Sequence, residues 1–328
     1  MNVPIFGIQY LRGLAALMVV WHHAFNYFGG PPSSFGATGV DIFFVVSGFI
    51  MAHSTRHFDA AGDRARQAAG FLAKRLIRVV PLYWIALLWM YKRGGDPIHL
   101  LAMDFVFLPR WNATDQMVAP QFTPGWTINY EMFFYALFGA SMMVGKARFA
   151  LVSGVLLGLV SLMVLGPTSP TGLFLTSSVL VEFLLGIAVY FLSRRSIDVR
   201  RPMLWVLACL CLVAMWDSPP VPRGFYVGPL AALLVWAVVQ ATRRLEMPRL
   251  LALGDASYSI YLFHIASFGI SIRLCDALHL GRWGLPGVVL GVLLQMTIAT
   301  ALGLLIHRTI ERPLLRSMRR PAGVVSVA

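Results

Sequence analysis

The sequence predicts an all-α integral membrane protein of about ten transmembrane helices, with both termini in the cytoplasm. Three observations carry that prediction. Hydrophobic residues make up 58% of the 328 positions and charged residues only 12%, about half the charged share of a soluble domain. Apolar runs long enough to span a ~30 Å hydrocarbon core recur along the whole chain. Lys and Arg fall very unequally on alternate sides of those runs. The net charge of +13 would by itself suggest a nucleic-acid partner. A chain this apolar has no soluble scaffold on which to display a basic patch, so no nucleic acid is expected and the partner is the lipid bilayer.

The apolar runs are about 8–28, 37–53, 76–91, 126–144, 149–165, 173–192, 203–217, 225–242, 256–275 and 284–307. Gly and Pro occur inside them, as membrane helices tolerate when neighbours satisfy the loosened backbone. The segment 100–108 is too short to span and reads as interfacial or re-entrant. Residues 1–328 read as one membrane domain with no fused soluble domain. Even-numbered loops and the C-terminal tail hold 20 Lys and Arg, against 6 on the other side, namely Lys92, Arg93, Arg110, Arg223, Arg273 and Arg282. That asymmetry points both termini into the cytoplasm and favours an even number of spans. The first run leads into Trp21-His22-His23 without a small-x-small cleavage site, so it stays as a helix. Cys209, Cys211 and Cys275 sit in apolar runs without metal-site spacing, and no metal is expected.

Ionisable groups inside spans cost roughly 2.5–3.5 kcal/mol each, so each asks for a reason. Arg12 and His23 share one stripe of the first helix, roughly 16 Å apart. Singly, each has a plain explanation as a side chain reaching for a headgroup region. Asp41 opens the second helix, where a carboxylate suits a helix N-terminus. Ser47-Gly48 behind it suits close helix approach. Arg75 and Arg78, at i and i+3, form either a cytoplasmic anchor or a phosphate clamp. Glu131 lies one or two turns into the fourth span, with no capping role to explain it, and Glu182 sits at comparable depth in the sixth. Ser257, Tyr261 and His264 form a polar stripe of the ninth span, read equally as an interhelical seam or as substrate contact. Glu311-Arg312-Pro313 ends the last helix.

Together these residues have a direction. Arginines gather at the cytoplasmic mouth, a histidine and carboxylates in the outer half, and the Tyr/Ser/His stripe between them. A long anionic donor with a reactive far end fits this layout, and a coenzyme A thioester has that shape. The chemistry would be acyl transfer to an outer hydroxyl, with His23 as general base and a carboxylate orienting it. A transporter of an organic anion or polysaccharide precursor is the alternative. It is disfavoured because no inverted repeat pairs the two halves.

The same residues resemble the acyltransferase-3 family of integral membrane acyltransferases over nearly the whole length. The pattern is closest to the bacterial exopolysaccharide O-acetyltransferases of the succinoglycan type. The matching pieces are "IQYLRGLAALMVVWHH", "GVDIFFVVSGFIM", "FLAKRLIRVVPLYW", "GWTINYE", "EFLLGI", "LGDASYSIYLFH" and "ERP", in the family's order. Many relatives read Trp-Ser-Leu-x-x-Glu where this chain has Trp126-Thr127-Ile128-Asn129-Tyr130-Glu131, a change that keeps the hydroxyl and the bulk. The resemblance implies an enzyme of the bacterial cytoplasmic (inner) membrane that moves an acetyl or other short acyl group from cytoplasmic acyl-CoA. The acceptor would be an exopolysaccharide or other surface carbohydrate, free or lipid-linked, at the outer side. It implies Arg12 and His23 as an essential first-helix pair, Arg75 and Arg78 as a basic cytoplasmic motif and Glu131 as the acid after the Trp; with the residue pattern above, the catalytic candidates are His23, Glu131 and Asp41 and the donor-binding ones Arg12, Arg75, Arg78, Tyr261 and His264. Acetyl-CoA is the expected donor, and polysaccharide-assembly proteins are expected partners. Direct attack on the thioester and an acyl-enzyme both stay open.

Overall fold

A computed structural model describes residues 5–30, 34–92, 97–112, 117–195, 199–216, 221–243 and 245–319. Arg93, Arg244 and Arg320 of the charge count lie outside these described residues. The main helices are α1 (Phe6–Tyr27), α2 (Gly39–Ser54), α3 (Arg64–Tyr91), α4 (Ile98–Phe105), α5 (Gly125–Ser141) and α6 (Arg148–Ser161). They continue as α7 (Pro170–Leu175), α8 (Leu180–Ser193), α9 (Arg201–Ala214), α10 (Arg223–Ala241), α11 (Pro248–Ala277), α12 (Leu285–Ile306) and α13 (Arg312–Arg319). A helix stands at each of the ten apolar runs, and among the described residues the fold is all-α apart from one short antiparallel strand pair. Among the described residues, six helical stretches are long and apolar enough to cross a membrane: Phe35–Ser54, Gly125–Leu165, Pro170–Ser193, Arg223–Ala241, Pro248–Ala277 and Leu285–Met318.

The second of these folds back on itself. Gly145, at φ 66°, breaks the path between α5 and α6 and turns the chain so that the two helices pack together. A side chain there would be strained, because only glycine adopts that left-handed backbone freely. The run 173–192 is not one helix either. Ser169 caps α7 by accepting from the Gly172 amide at 3.1 Å, α7 ends at Leu175, and α8 starts afresh at Leu180. Hydropathy does not register such a break, because Thr176, Ser177 and Ser178 are too few to interrupt the apolar average. α3 begins at Arg64, well before the apolar run, because Asp63 caps it by accepting from the Arg66 amide at 2.9 Å. That extension carries Lys74 and Arg75 on the same helix as Arg78.

α1 is central and packs against α2, α10, α11 and α12, while α2 packs against α8 and α3 against α5. The α2–α8 contact is as close as backbones allow: a Cβ on Gly48 would stand 2.0 Å from the Phe183 carbonyl oxygen, and one on Gly186 2.0 Å from that of Val45. In lipid, where apolar surface gives helices no reason to associate, such small-residue contacts supply the packing. Outward faces are apolar: Val206, Leu210 and Val213 on α9, Leu293 and Leu305 on α12, and Leu157 on α6 are all more than half exposed.

The segment after α3 is more elaborate than a short interfacial helix. α4 is followed by an antiparallel hairpin of β1 (Trp111–Asn112) and β2 (Met117–Val118). A buried Arg110–Asp104 pair holds it, with Nε–Oδ1 at 2.7 Å and Nη2–Oδ2 at 3.0 Å. Asp104 also accepts from the Gln121 amide at 3.1 Å. These bonds fix the chain just ahead of Pro124, where α5 begins.

Candidate active site

A cavity of about 260 Å³ lies between α1, α2, α3, α5 and α11. Five of the expected site residues line it: Arg12, Arg75, Arg78, Glu131 and Tyr261. They come from α1, α3, α5 and α11, so the chain brings together residues separated by up to 249 positions (Arg12 to Tyr261). Arg12 is buried and donates from Nη1 to Gln9 Oε1 at 3.0 Å, a side chain one turn earlier on the same helix. Arg75 lies with its guanidinium carbon 5.6 Å from the centre of the Phe71 ring, a cation–π contact from the preceding turn. Of the ionisable side chains lining the cavity, three are arginines and one is a carboxylate. The surplus positive charge suits a polyanionic ligand, and guanidinium forks suit phosphate.

Glu131 is held from two helices. Ser47 Oγ on α2 donates to its Oε1 at 2.8 Å, and the Tyr135 hydroxyl on its own helix donates to the same oxygen. Tyr135 stands four residues after Glu131, a spacing legible in the sequence but passed over there. Tyr261 and Thr127 share a hydrogen bond at 2.8 Å, and both hydroxyls reach the Pro124 carbonyl, at 2.9 and 3.1 Å. Tyr258 completes this wall by donating to the Val79 carbonyl at 2.8 Å. Gln9, Ser47, Thr127, Tyr135 and Tyr258 were not singled out from the sequence as site residues. An uncharged polar group standing singly in an apolar run gives too weak a signal, whereas Tyr261 stood out as part of the Ser257/Tyr261/His264 stripe.

Three expected residues stand elsewhere. Asp41 is wholly buried and receives Arg223, with Nε–Oδ1 at 2.9 Å and a second contact from Nη2 to Oδ2. Arg223 also donates to the Ala37 carbonyl at 3.0 Å, and the buried Glu182 joins the same cluster between α2, α8 and α10. The carboxylate at the start of α2 thus serves an ion pair and does not line the cavity. His264 is wholly buried, with its ring centroid 6.1 Å from that of Tyr261. His23 is half-buried, with its ring centroid 5.0 Å from that of His264. A row of rings therefore runs from Tyr261 at the cavity wall through His264 to His23.

Just after α12, Glu311 accepts from Ser259 Oγ at 2.6 Å and pairs with His307 Nδ1 at 2.9 Å. The Ser/Glu bond ties α11 to the π-helical turn that follows α12. No group of His, Cys, Asp or Glu that could hold a metal ion occurs among the described residues.

A family model described as an acyltransferase domain matches residues 5–308. The chain belongs to the acyltransferase-3 family. It is similar to the exopolysaccharide production protein ExoZ of Rhizobium meliloti (strain 1021), with 34% identity over 307 residues, covering 87% of this chain and 91% of the relative. It is similar also to the acyltransferase MdmB of Streptomyces mycarofaciens, at 25% identity covering 88% of this chain and 84% of the relative. A putative membrane-bound transacylase, BcsY of Komagataeibacter xylinus, is 27% identical over 86% of this chain and 79% of its own length. No solved structure matches. Family membership makes this acyltransferase-3 chain a membrane acyltransferase, which decides against the transporter alternative.

Proposed function

We propose that the chain transfers an acetyl or other short acyl group from cytoplasmic acyl-CoA to a hydroxyl of an exopolysaccharide or other surface carbohydrate at the outer side of the membrane. The observation that carries this reading is the convergence of Arg12, Arg75 and Arg78 with Glu131 on one cavity. The arginines bind the donor phosphates. Ligand pockets usually run from about 300 to 1,000 Å³, so a cavity of about 260 Å³ holds part of the donor, with the remainder in the cytoplasm. Tyr261 and Thr127 line its path, and the ring row leads on to His23.

In the net reaction a carbohydrate O–H gives its proton to His23 as the oxygen bonds to the acyl carbon. The C–S bond breaks, and coenzyme A leaves as a thiolate that takes up a proton. An acyl-enzyme route divides the same bond changes between two steps. The ExoZ name and the wide coverage of that relative support a polysaccharide acceptor. Ten crossings, with both termini cytoplasmic and the domain spanning residues 1–328, form part of the proposal. A helix at each apolar run and the Lys/Arg asymmetry support this topology. The bacterial relatives support placement in the inner membrane beside polysaccharide-assembly proteins.

Purified protein in liposomes, given radiolabelled acetyl-CoA and candidate polymer, tests the reading. Label in base-labile ester on the polymer is expected. Donor binding with no ester on any carbohydrate overturns the acceptor assignment.

A further inference from the structure

α8 and α10 run side by side in the same direction. Near their starts the Gly224 amide donates to Ser178 Oγ at 3.2 Å, and just past their ends Arg243 Nη2 donates to the Ser193 carbonyl at 2.6 Å. Between these two ties the small side chain of Ala188 leaves room for a groove of about 660 Å³, within the range of ligand pockets. Leu185 and Leu192 of α8 and Leu233 and Trp236 of α10 form its walls, and Arg195 stands at one end. Ala188, Leu192, Leu233 and Arg195 are exposed, so the groove opens on the outside of the helix bundle. It shares no lining residue with the arginine-rich cavity.

Length and polarity match one lipid chain with its headgroup. From Leu185 to Arg195 the groove runs roughly 15 Å at about 1.5 Å per residue, half of a ~30 Å hydrocarbon core and so one leaflet deep. At its polar end Arg195 is joined by Arg243 and by Arg194, whose guanidinium carbon lies 5.9 Å from the centre of the Tyr190 ring. Among the described residues no carboxylate pairs with any of the three. The cluster therefore lacks an anion. On the proposed topology it faces the cytoplasmic leaflet, where basic pockets between membrane helices select anionic headgroups.

Trp236 adds a directed donor. Its Nε1–H is buried and has no acceptor among the described residues, a state that asks for a partner. Carrying the 46-position offset of Gly224 and Ser178 along the pair puts Trp236 level with Tyr190, roughly 7 Å inside Arg195. The ester carbonyls of a diacyl phospholipid lie on that inner side of its phosphate and accept hydrogen bonds.

We propose that the groove between α8 and α10 is a binding site for one anionic diacyl phospholipid, with an acyl chain along Ala188 and the phosphate on Arg195, flanked by Arg194 and Arg243. The Trp236 N–H donates to an ester carbonyl. Bound there, the lipid bridges the two helices that carry Glu182 and Arg223 to the buried cluster around Asp41.

Full-length protein stripped of lipid in detergent tests this, titrated with phosphatidylglycerol or phosphatidylcholine of the same chains and read by native mass spectrometry. One phosphatidylglycerol should be retained, at least about fivefold more tightly than phosphatidylcholine. Arg195→Gln should lower that preference about fivefold, the factor that one arginine near an anionic headgroup contributes. Ala188→Trp fills the groove and should abolish retention. In the wild type, phosphatidylglycerol with a diazirine in one acyl chain should crosslink chiefly to residues 185–195 and 233–236. Equal affinity for the two lipids overturns the headgroup assignment, and retention unchanged by Ala188→Trp overturns the groove. If that variant aggregates on gel filtration, the wild-type crosslink decides: label spread evenly over the exposed faces of α6, α9 and α12 overturns the proposal.

Discussion

Ser47 on α2 donates a 2.8 Å hydrogen bond to Glu131 on α5, so the carboxylate of the cavity is held from across the helix interface as well as by Tyr135 on its own helix. A carboxylate positioned from two sides keeps its aim. Glu131→Gln preserves shape and removes the charge, and its transfer rate should drop by at least about 100-fold. Ser47→Ala removes one hydrogen bond to a charged group, worth about 1.5–3 kcal/mol, and the rate should drop about tenfold or more. Initial rates of labelled acetyl transfer, normalised to monodisperse protein, check both.

Arg75 and Arg78 line the cavity on successive turns of α3. Replacing both with Ala should weaken coenzyme A binding by about 100-fold, since each removes a charge-assisted bond of about 1.5–3 kcal/mol. Lys at both positions returns the charge without the planar fork and should recover only part of the affinity. Equilibrium dialysis with labelled coenzyme A gives the numbers. Unchanged affinity would reduce the two arginines to topological anchors.

The wholly buried Asp41 and the half-buried Arg223 form a two-contact pair between α2 and α10. Asp41→Asn weakens both contacts to the half-buried guanidinium and should destabilise the protein by about 1.5–3 kcal/mol. The specific activity of the folded fraction should stay near wild type. Thermal unfolding in detergent, paired with transfer assays on the folded fraction, separates the two quantities. Lost activity at wild-type stability would return Asp41 to the catalytic set.

Gly48 and Gly186 bring the α2 and α8 backbones together. Gly186→Leu places a side chain where even a Cβ stands 2.0 Å from the Val45 carbonyl oxygen, so the helices must separate. A loss of about 2 kcal/mol or more is expected, and because α2 carries Ser47, transfer should fall with it. Melting curves and transfer rates of the same preparation check this.

Much of the molecule was legible in the order of its residues. Helix stands at every apolar run because an apolar stretch in lipid must satisfy its own backbone bonds. Arg12, Arg75, Arg78, Glu131 and Tyr261 stood out because an ionisable group or hydroxyl within such a run needs a partner or a task. The break between α7 and α8 was not legible, since a few hydroxyl residues hardly alter an average over twenty. The Asp41–Arg223 pair was hidden for another reason: its members are 182 positions apart and each had a sufficient local explanation, as a helix-start acid and a loop base.

What the sequence by itself determined is therefore the helical membrane class and the chemistry available in each run, because both depend on local composition and on cost per residue. Only the tertiary structure decided which of those groups meet. Arg12 came to the cavity and His23, on the same stripe of α1, did not. Asp41 went to Arg223, Ser47 to Glu131, and His264 to the side of His23. Partnership between buried polar groups depends on which helix faces cross at what depth, and that is set by close contacts such as Gly48 on Gly186, which no single run contains.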